Sequence, residues 1–277
     1  RYFVSEDEKT LIERWSGSGW KIEGSINGSA SDNHLTSVSC PSSSFCMAAG
    51  FYYETSVSAW LPLTESWSGG AWTQRTAAKP AGSTNSYFDG VSCTSSTVCT
   101  AVGDWIVNAQ SVNEYTLAER WNGSSWAIHT TPNPPSGALD MADVSCTTSS
   151  ACTAVGSYID GLNVEHPIAM ASSDGTSWMM QSPLLPAGDQ KAHPYGVSCV
   201  VSRGCEAVGF HKTAAGEFLT LAEGYWRNPP PRASTEAATA IGDSAATLNG
   251  SVNPNGSETK YLYEYGATAS YGSKTSE

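Results

Sequence analysis

Alternating apolar and polar residues recur in short runs along most of the chain, and no stretch has the spacing of an amphipathic helix. The runs repeat every 53 residues. Each repeat contains the phrase Val-Ser-Cys, then five residues and a second Cys, and the first cysteine of each pair lies at position 40, 93, 146 or 199. Each period contains four segments with strand-like patterning. The pattern therefore predicts four antiparallel strands in each 53-residue repeat.

A second repeated phrase places a glycine between two tryptophans. The tryptophans are Trp15 and Trp20, Trp67 and Trp72, and Trp121 and Trp126, whereas Ser173 replaces the first Trp before Trp178. The glycines are Gly17, Gly69, Gly123 and Gly175. Because glycine reaches positive φ at little steric cost, the phrase predicts a tight hairpin between the third and fourth strands.

All eight cysteines belong to the repeated phrase, and none is left over. This usage favours a disulfide within each repeat and an oxidising compartment, so we expect an extracellular or cell-surface protein. Zinc is the alternative, but structural zinc cysteines usually lie about two to four residues apart, and no histidine keeps register with these pairs. The predicted disulfides are Cys40–Cys46, Cys93–Cys99, Cys146–Cys152 and Cys199–Cys205.

Repeats of four short antiparallel strands resemble the blades of β-propeller proteins, whose repeats run from about 40 to 50 residues. The segment at 172–178 is similar to a shortened Asp-box hairpin of sialidase-type propellers, with Asp174 at the Asp position. In that family the box is a fold element and not a catalytic one. The resemblance implies an all-β chain with a propeller of about five four-stranded blades, the terminal two incomplete, and a partial β-sandwich.

Composition changes near residue 227. We predict propeller repeats over 1–227, a Pro-rich linker over 228–234 and a partial fibronectin type III-like module over 235–277. The last segment resembles the opening strands of such a module. Alternating runs over 246–252 and 259–265 predict two strands joined by a turn. A complete sandwich needs about 100 residues, so either the chain is a fragment or another chain supplies the missing strands.

Charge and motifs narrow the function classes. The net charge is −12, with 14 Lys and Arg that form no cluster, so nucleic acid is not an expected partner. No apolar run approaches the ~18 residues of a membrane span. The sequence has no glycine-rich phosphate loop, no zinc-type histidine pair and no free cysteine. We therefore expect no cofactor, no metal and no catalysis.

In a four-stranded blade the unrepeated connections share one face, where ligands or partners are expected. Aromatic residues there are candidates for stacking on sugars, for burial in a partner or for capping the blade cores. They are Tyr53, Trp60, Tyr87, Trp105, Tyr158 and Tyr195. The candidate carboxylates for a glycoside hydrolase are Asp104, Glu114, Asp140, Asp160, Glu165 and Asp189. Asp160, Asn163 and Glu165 form a weak calcium candidate.

Glutamates that recur in register, Glu13, Glu65, Glu119 and Glu223, are interpreted as structural. Asn27, Asn122, Asn249 and Asn255 each begin a candidate glycosylation sequon. The favoured hypothesis is a non-catalytic secreted or cell-surface scaffold, structural or adhesive, that forms an extracellular filament or other assembly. Its expected partners are other copies of itself or a cell-surface protein, with glycans as a further candidate. The alternatives are a carbohydrate-binding propeller and, third, a glycoside hydrolase.

Overall fold

A computed structural model describes residues 2–4, 7–27, 32–107, 114–135, 137–181, 183, 185–186, 188–200, 204–225, 232–253, 259–268 and 270–276. These residues form strands and turns and contain no helix, which confirms the predicted all-β class. The chain divides into two compact units, Arg1–Tyr225 and Trp226–Glu277.

Most strands of the first unit belong to the repeats. They are β1 Tyr2–Val4, β2 Asp7–Lys9, β3 Ile12–Trp15, β4 Trp20–Glu23, β5 Asn33–Ser42, β6 Phe45–Glu54, β7 Ala59–Trp67, β8 Trp72–Arg75, β9 Asn85–Ser86, β10 Gly90–Ser95, β11 Val98–Ile106, β12 Glu114–Trp121, β13 Trp126–His129, β14 Ala138–Cys146, β15 Cys152–Ile159, β16 Glu165–Ser172, β17 Trp178–Gln181, β18 Lys191–Val200, β19 Gly204–Lys212 and β20 Phe218–Tyr225.

Three repeats each form an antiparallel sheet of four strands in chain order: β5 to β8, β10 to β13 with β9 as an addition, and β14 to β17. We call these sheets 1, 2 and 3. The fourth cysteine repeat forms β18-β19-β20, here called sheet 4, which one parallel pairing between Glu165 and Lys191 joins to sheet 3. Two shorter pairs, β1–β2 and β3–β4, precede sheet 1. The predicted four strands per repeat are therefore confirmed in three repeats.

The four predicted disulfides are present, and each joins the first two strands of its sheet. Their Cα–Cα distances are 3.9 to 4.1 Å, because in three of the sheets the two cysteines face each other directly across the strand pair. Four disulfides within one chain are consistent with an oxidising environment.

The tryptophan phrases form the predicted hairpins. Their glycines have φ of +92° at Gly17, +94° at Gly69, +98° at Gly123 and +78° at Gly175, where a side chain would be strained. The turn of the fourth phrase is closed by Asp174, whose carboxylate accepts two backbone N–H bonds of 2.7 Å. These hydrogen bonds lower the pKa of Asp174. The Asp therefore closes a hairpin, the role that the resemblance implied.

The glycine that follows the second cysteine by four residues is explained by a bulge. In sheets 1, 3 and 4 the first strand shifts register near its start. A Cβ at Gly50, Gly156 or Gly209 would lie 1.9 to 2.0 Å from a carbonyl oxygen of that strand, and a Cβ at Gly103 would lie 2.1 Å from the carbonyl oxygen of Tyr87, just before the first strand of sheet 2. The glycine is therefore required inside its own sheet.

Successive sheets bury apolar side chains between them. Val91, on the first strand of sheet 2, clusters with Met47 and Ala49 from the second strand of sheet 1. Val144 of sheet 3 clusters in the same way with Val102 of sheet 2. Each cluster thus joins the second strand of one sheet to the first strand of the next.

A ladder of hydrogen bonds runs beside these clusters and joins the first strands of successive sheets. The serine of each Val-Ser-Cys phrase accepts a bond from the backbone amide of the cysteine in the next repeat. The bonds are Cys93 N to Ser39 Oγ at 2.9 Å, Cys146 N to Ser92 Oγ at 3.0 Å and Cys199 N to Ser145 Oγ at 3.0 Å. The repeated serine therefore links the sheets, a role that we did not predict.

The second unit contains β21 Arg232–Thr239, β22 Thr247–Asn253, β23 Glu264–Tyr265 and β24 Ser273–Lys274. The strand predicted over 246–252 is confirmed as β22, but it pairs with β21. The strand predicted over 259–265 is wrong for all but its last two residues, which form β23 and pair with β24. β21 begins inside the predicted linker 228–234, of which residues 228–231 lie outside the described part. The fibronectin-like assignment stays a prediction.

Candidate functional site

Three positions in each sheet carry different side chains from repeat to repeat. They lie near the start of the first strand, at the end of the second strand and at the start of the third strand. We call this set the unrepeated arc. From sheet 1 to sheet 4 it comprises His34, Phe51 and Trp60; Tyr87, Asp104 and Glu114; Asp140, Ser157 and Glu165; and His193, Phe210 and Phe218. Aligning the repeats on their cysteines finds these positions, because the repetition fails there.

The sheet 1 end of the arc is aromatic. His34 stacks on Phe51 with ring centroids 4.7 Å apart, and Trp60 approaches Phe51 edge-on at 5.5 Å. Tyr87 from sheet 2 contacts the same Phe51 at 5.2 Å, and Tyr53 contacts Trp60 at 5.3 Å. All five rings are half-buried, so these aromatics pack chiefly on one another.

The other predicted aromatics divide into packed and exposed residues. Trp105 packs on Tyr115 with centroids 4.8 Å apart, and Tyr158 stacks on His166 at 5.1 Å. Tyr195 alone among the six candidates is mostly exposed, with 60% of its surface accessible. Ring contacts therefore half-bury five of the six candidates, and a binding role for the six stays a prediction.

Carboxyl groups of sheets 2 and 3 influence one another in the middle of the arc. Burial, followed by the charges of Asp89, Glu114 and Asp140, raises the pKa of Asp104 well above its usual value. Burial and the charge of Asp140 raise the pKa of Asp89 to about 7. Burial also raises the pKa of Glu114, although its Oε2 accepts a 2.6 Å bond from the Leu139 amide. Asp89, Asp104 and Glu114 therefore retain protons at pH values where exposed carboxyls lose them.

Glu165 links sheet 3 to sheet 4. Its Oε1 lies 2.6 Å from His193 Nδ1 and accepts a 3.0 Å bond from the Ser157 hydroxyl, and its Oε2 lies 3.0 Å from Lys191 Nζ. Burial opposes ionisation, but these three partners lower the pKa of Glu165. A nucleophilic triad needs its hydroxyl and its acid on opposite nitrogens of the imidazole. Ser157 and Glu165 both lie at Nδ1, so the trio is a structural link.

The remaining candidate acids lie in local pairs. Asp160 caps its own turn by accepting backbone bonds from Leu162 and Val164, and it pairs with His166 at 2.8 Å. Asp189 pairs with His211. Among the described residues no group of three acidic, histidine or cysteine side chains could hold a metal, and calcium binding by Asp160, Asn163 and Glu165 stays a prediction. Glu165 is bound to His193, whereas Asp160 faces its turn.

Two of the recurring glutamates have structural contacts. Glu65 is fully buried and accepts bonds from the Ser25 hydroxyl at 2.9 Å and the Ile26 amide at 3.2 Å. Glu119, also fully buried, accepts a 2.9 Å bond from the Ala78 amide. Burial raises the pKa of Glu119 to about 8. Each side chain therefore holds the connection that enters its sheet from the preceding pair of strands.

Three sequon asparagines make hydrogen bonds within the fold. Asn27 accepts a 2.9 Å bond from the Thr10 amide, Asn122 accepts two 2.9 Å backbone bonds in its hairpin, and Asn249 donates a 2.8 Å bond to a carbonyl of β21. Asn255 lies outside the described residues. Glycosylation at these asparagines stays a prediction.

The described residues contain no helix that is long and apolar enough to cross a membrane. No protein-family model matches the chain, and no curated protein sequence matches it. The functional conclusion therefore depends on the contacts of the chain itself.

Proposed function

We propose that the chain is a non-catalytic repeat scaffold, secreted or on the cell surface, whose sheets are blades of a β-propeller and which forms the subunit of an extracellular assembly. Such an assembly has a structural or adhesive role. The observation that carries this proposal is a group of apolar side chains on sheet 4 that no described residue of the first unit covers.

The uncovered face has buried equivalents inside the chain. Val208, on the second strand of sheet 4, is 52% exposed. The equivalent Val102 and Val155 are 0% and 3% exposed, because the following sheet covers them. Val200 and Phe218 on sheet 4 are also exposed. Exposed apolar side chains that form one contiguous patch mark an interaction site.

The contacts of the acidic residues support a role without catalysis. Glu114 is bound to the Leu139 amide and Glu165 to His193, so two candidate carboxylates hold neighbouring sheets together. Asp160 and Asp189 are each engaged by a histidine. A glycosidase needs two carboxylates placed about a substrate cleft, and these four are occupied by the scaffold.

Sedimentation velocity of the oxidised full chain over about a hundredfold concentration range tests the assembly. We expect a sedimentation coefficient that rises with concentration. Leu162→Asp is the control variant, because Leu162 is 85% exposed in a turn and should tolerate the change without effect on association. A chain that stays monomeric over the whole range would contradict the proposed function.

A further inference from the structure

Four carboxyl groups in the middle of the unrepeated arc lie together without a cation from the described protein. We call this set the acid group, and its members are Asp89, Asp104, Glu114 and Asp140. The charges of the other three all act on Asp104, so the four groups are close enough to repel one another. Among the described residues, no Lys or Arg side chain forms an ion pair with the acid group. Its negative charge therefore has no internal counterpart there.

The acid group extends from the interior of the sheets to the surface. Asp104 is 8% exposed, and no described group donates a hydrogen bond to its carboxyl. The side chain of Asp140, by contrast, is 56% exposed. A solute that contacts Asp140 from the solvent therefore meets a set of carboxyls whose inner member is buried and has no hydrogen-bond partner in the described chain.

A buried histidine nitrogen faces the same place. His193 is 7% exposed, and its Nε2 has no hydrogen-bond partner among the described residues and lies 3.5 Å from Asp140 Oδ2. Its Nδ1 lies 2.6 Å from Glu165 Oε1, and a carboxylate can only accept, so Nδ1 carries a proton. In the neutral ring Nε2 is then an acceptor. The groups that meet here are acceptors, and they suit a ligand that donates several hydrogen bonds.

The next repeat shows which donor fits this position. Glu165 begins the third strand of sheet 3, and its Oε2 lies 3.0 Å from Nζ of Lys191, which begins the first strand of sheet 4. Glu114 and Ala138 begin the equivalent strands of sheets 2 and 3. Ala138 is exposed and has no ammonium group to offer. One repeat thus supplies its own ammonium where the preceding repeat has only a methyl group.

The ionisation of the two glutamates follows this difference. The hydrogen bonds of His193, Lys191 and Ser157 lower the pKa of Glu165 against the effect of its burial. Burial raises the pKa of Glu114, whose Oε2 is bound by a backbone amide. The carboxyl without the ammonium is therefore the one that holds its proton more tightly.

An aromatic ring borders the acid group. Burial and then the charges of Asp104, Glu114 and Asp89 raise the pKa of Tyr87 to about 12, which places its side chain beside these carboxyls. An organic cation gains from an aromatic face as well as from carboxylates. The surroundings therefore suit an alkylammonium ion.

We propose that the acid group binds the ammonium group of an alkylamine, beside Ala138, at the place that corresponds to the Lys191 ammonium group one repeat later. The ammonium donates hydrogen bonds to Glu114, Asp140 and His193 Nε2. The ligand is a free alkylamine or the lysine side chain of a partner protein, since both carry this group. The site goes beyond the proposed assembly, because it requires a single chain.

Isothermal titration calorimetry of the oxidised full chain with n-butylamine at neutral pH tests the site. We expect saturable binding at one site per chain. 1-Butanol has the same alkyl chain without the charge, and tetramethylammonium has the charge without an N–H group. Each should bind at least about 10-fold more weakly. No saturable binding of n-butylamine, or equally tight binding of either control compound, would overturn the proposal.

Nα-acetyl-lysine amide distinguishes the two sources of the ammonium group. Tighter binding than n-butylamine would assign the site to a lysine side chain of a partner protein. Weaker binding would assign it to free amines, because the backbone amides of the lysine derivative would then be excluded. Either order of affinity supports the ammonium site.

Three full-length variants locate the binding. Asp140→Asn, at a mostly exposed side chain, should weaken n-butylamine binding by at least about 10-fold. Glu217→Gln removes the same charge at an exposed position of another turn and should leave binding unchanged. Ala138→Lys should supply the ammonium from within the chain, so n-butylamine binding should be lost and the urea midpoint should rise. Wild-type affinity in Asp140→Asn, or in Ala138→Lys, would overturn the assignment.

Discussion

Substitution of Gly103 by Ala should destabilise sheet 2 through a steric clash inside the sheet. A Cβ at this position would lie 2.1 Å from the carbonyl oxygen of Tyr87 and 2.9 Å from the Cα of Phe88. Carbon and oxygen atoms approach comfortably to about 3.3 Å, so the backbone would have to move by about 1 Å. Both neighbours are backbone atoms of the segment between β9 and β10 and cannot turn aside. We expect a loss of about 3 kcal/mol in the free energy of unfolding.

Urea denaturation of the oxidised protein, followed by tryptophan fluorescence, measures this loss. The matched control is Gly70→Ala, because no atom lies within 4 Å of a Cβ built there. It should change the free energy of unfolding by less than about 0.5 kcal/mol. If Gly103→Ala is as stable as Gly70→Ala, the close approach of the neighbouring backbone does not require a glycine and the explanation of the repeated glycine is wrong.

Three further predictions concern the links between and within sheets. Burial raises the pKa of Glu119 to about 8 in the folded chain, so its stabilising effect is complete below the ordinary pKa of 4.5 and lost as the pH rises through 8. Glu119→Gln should therefore flatten the pH dependence of the urea midpoint. Replacing Cys93 and Cys99 together by Ser should cost about 2 kcal/mol in urea denaturation, and an unchanged midpoint would contradict it. Ser145→Ala should lower the melting temperature by removing a bond worth about 1 kcal/mol, unlike the same change at exposed Ser124.

Local chemistry made part of the fold predictable from sequence. The disulfides followed from an even set of cysteines in register, and the hairpin at Gly123 followed from the preference of glycine for positive φ. The inter-sheet ladder was not predictable, because a serine such as Ser92 finds its partner 54 residues away and its spacing does not reveal which groups meet. β21 was missed because Arg232–Thr239 lacks alternating apolar residues, and its side chains are almost all exposed.

The candidate site was predictable only as a list of residues. Loop position identified Asp104, Glu114 and Asp140 as acids of the unrepeated face, but not that they influence one another. The same reasoning offered Glu165 as a catalytic or calcium-binding group, whereas His193 from the following sheet engages it. Contacts across sheets depend on how successive repeats pack, which the alternation within one strand does not encode.

Hydrogen exchange of the cysteine amides, measured by NMR on the oxidised full chain, tests the stacking of the repeats most directly. The amides of Cys93, Cys146 and Cys199 each donate to a serine of the preceding sheet. They should exchange slowly, whereas the amide of Cys40, for which the described residues provide no such serine, should exchange rapidly. Equal exchange at all four cysteines, either fast or slow, would contradict a stack of sheets joined by the serine ladder.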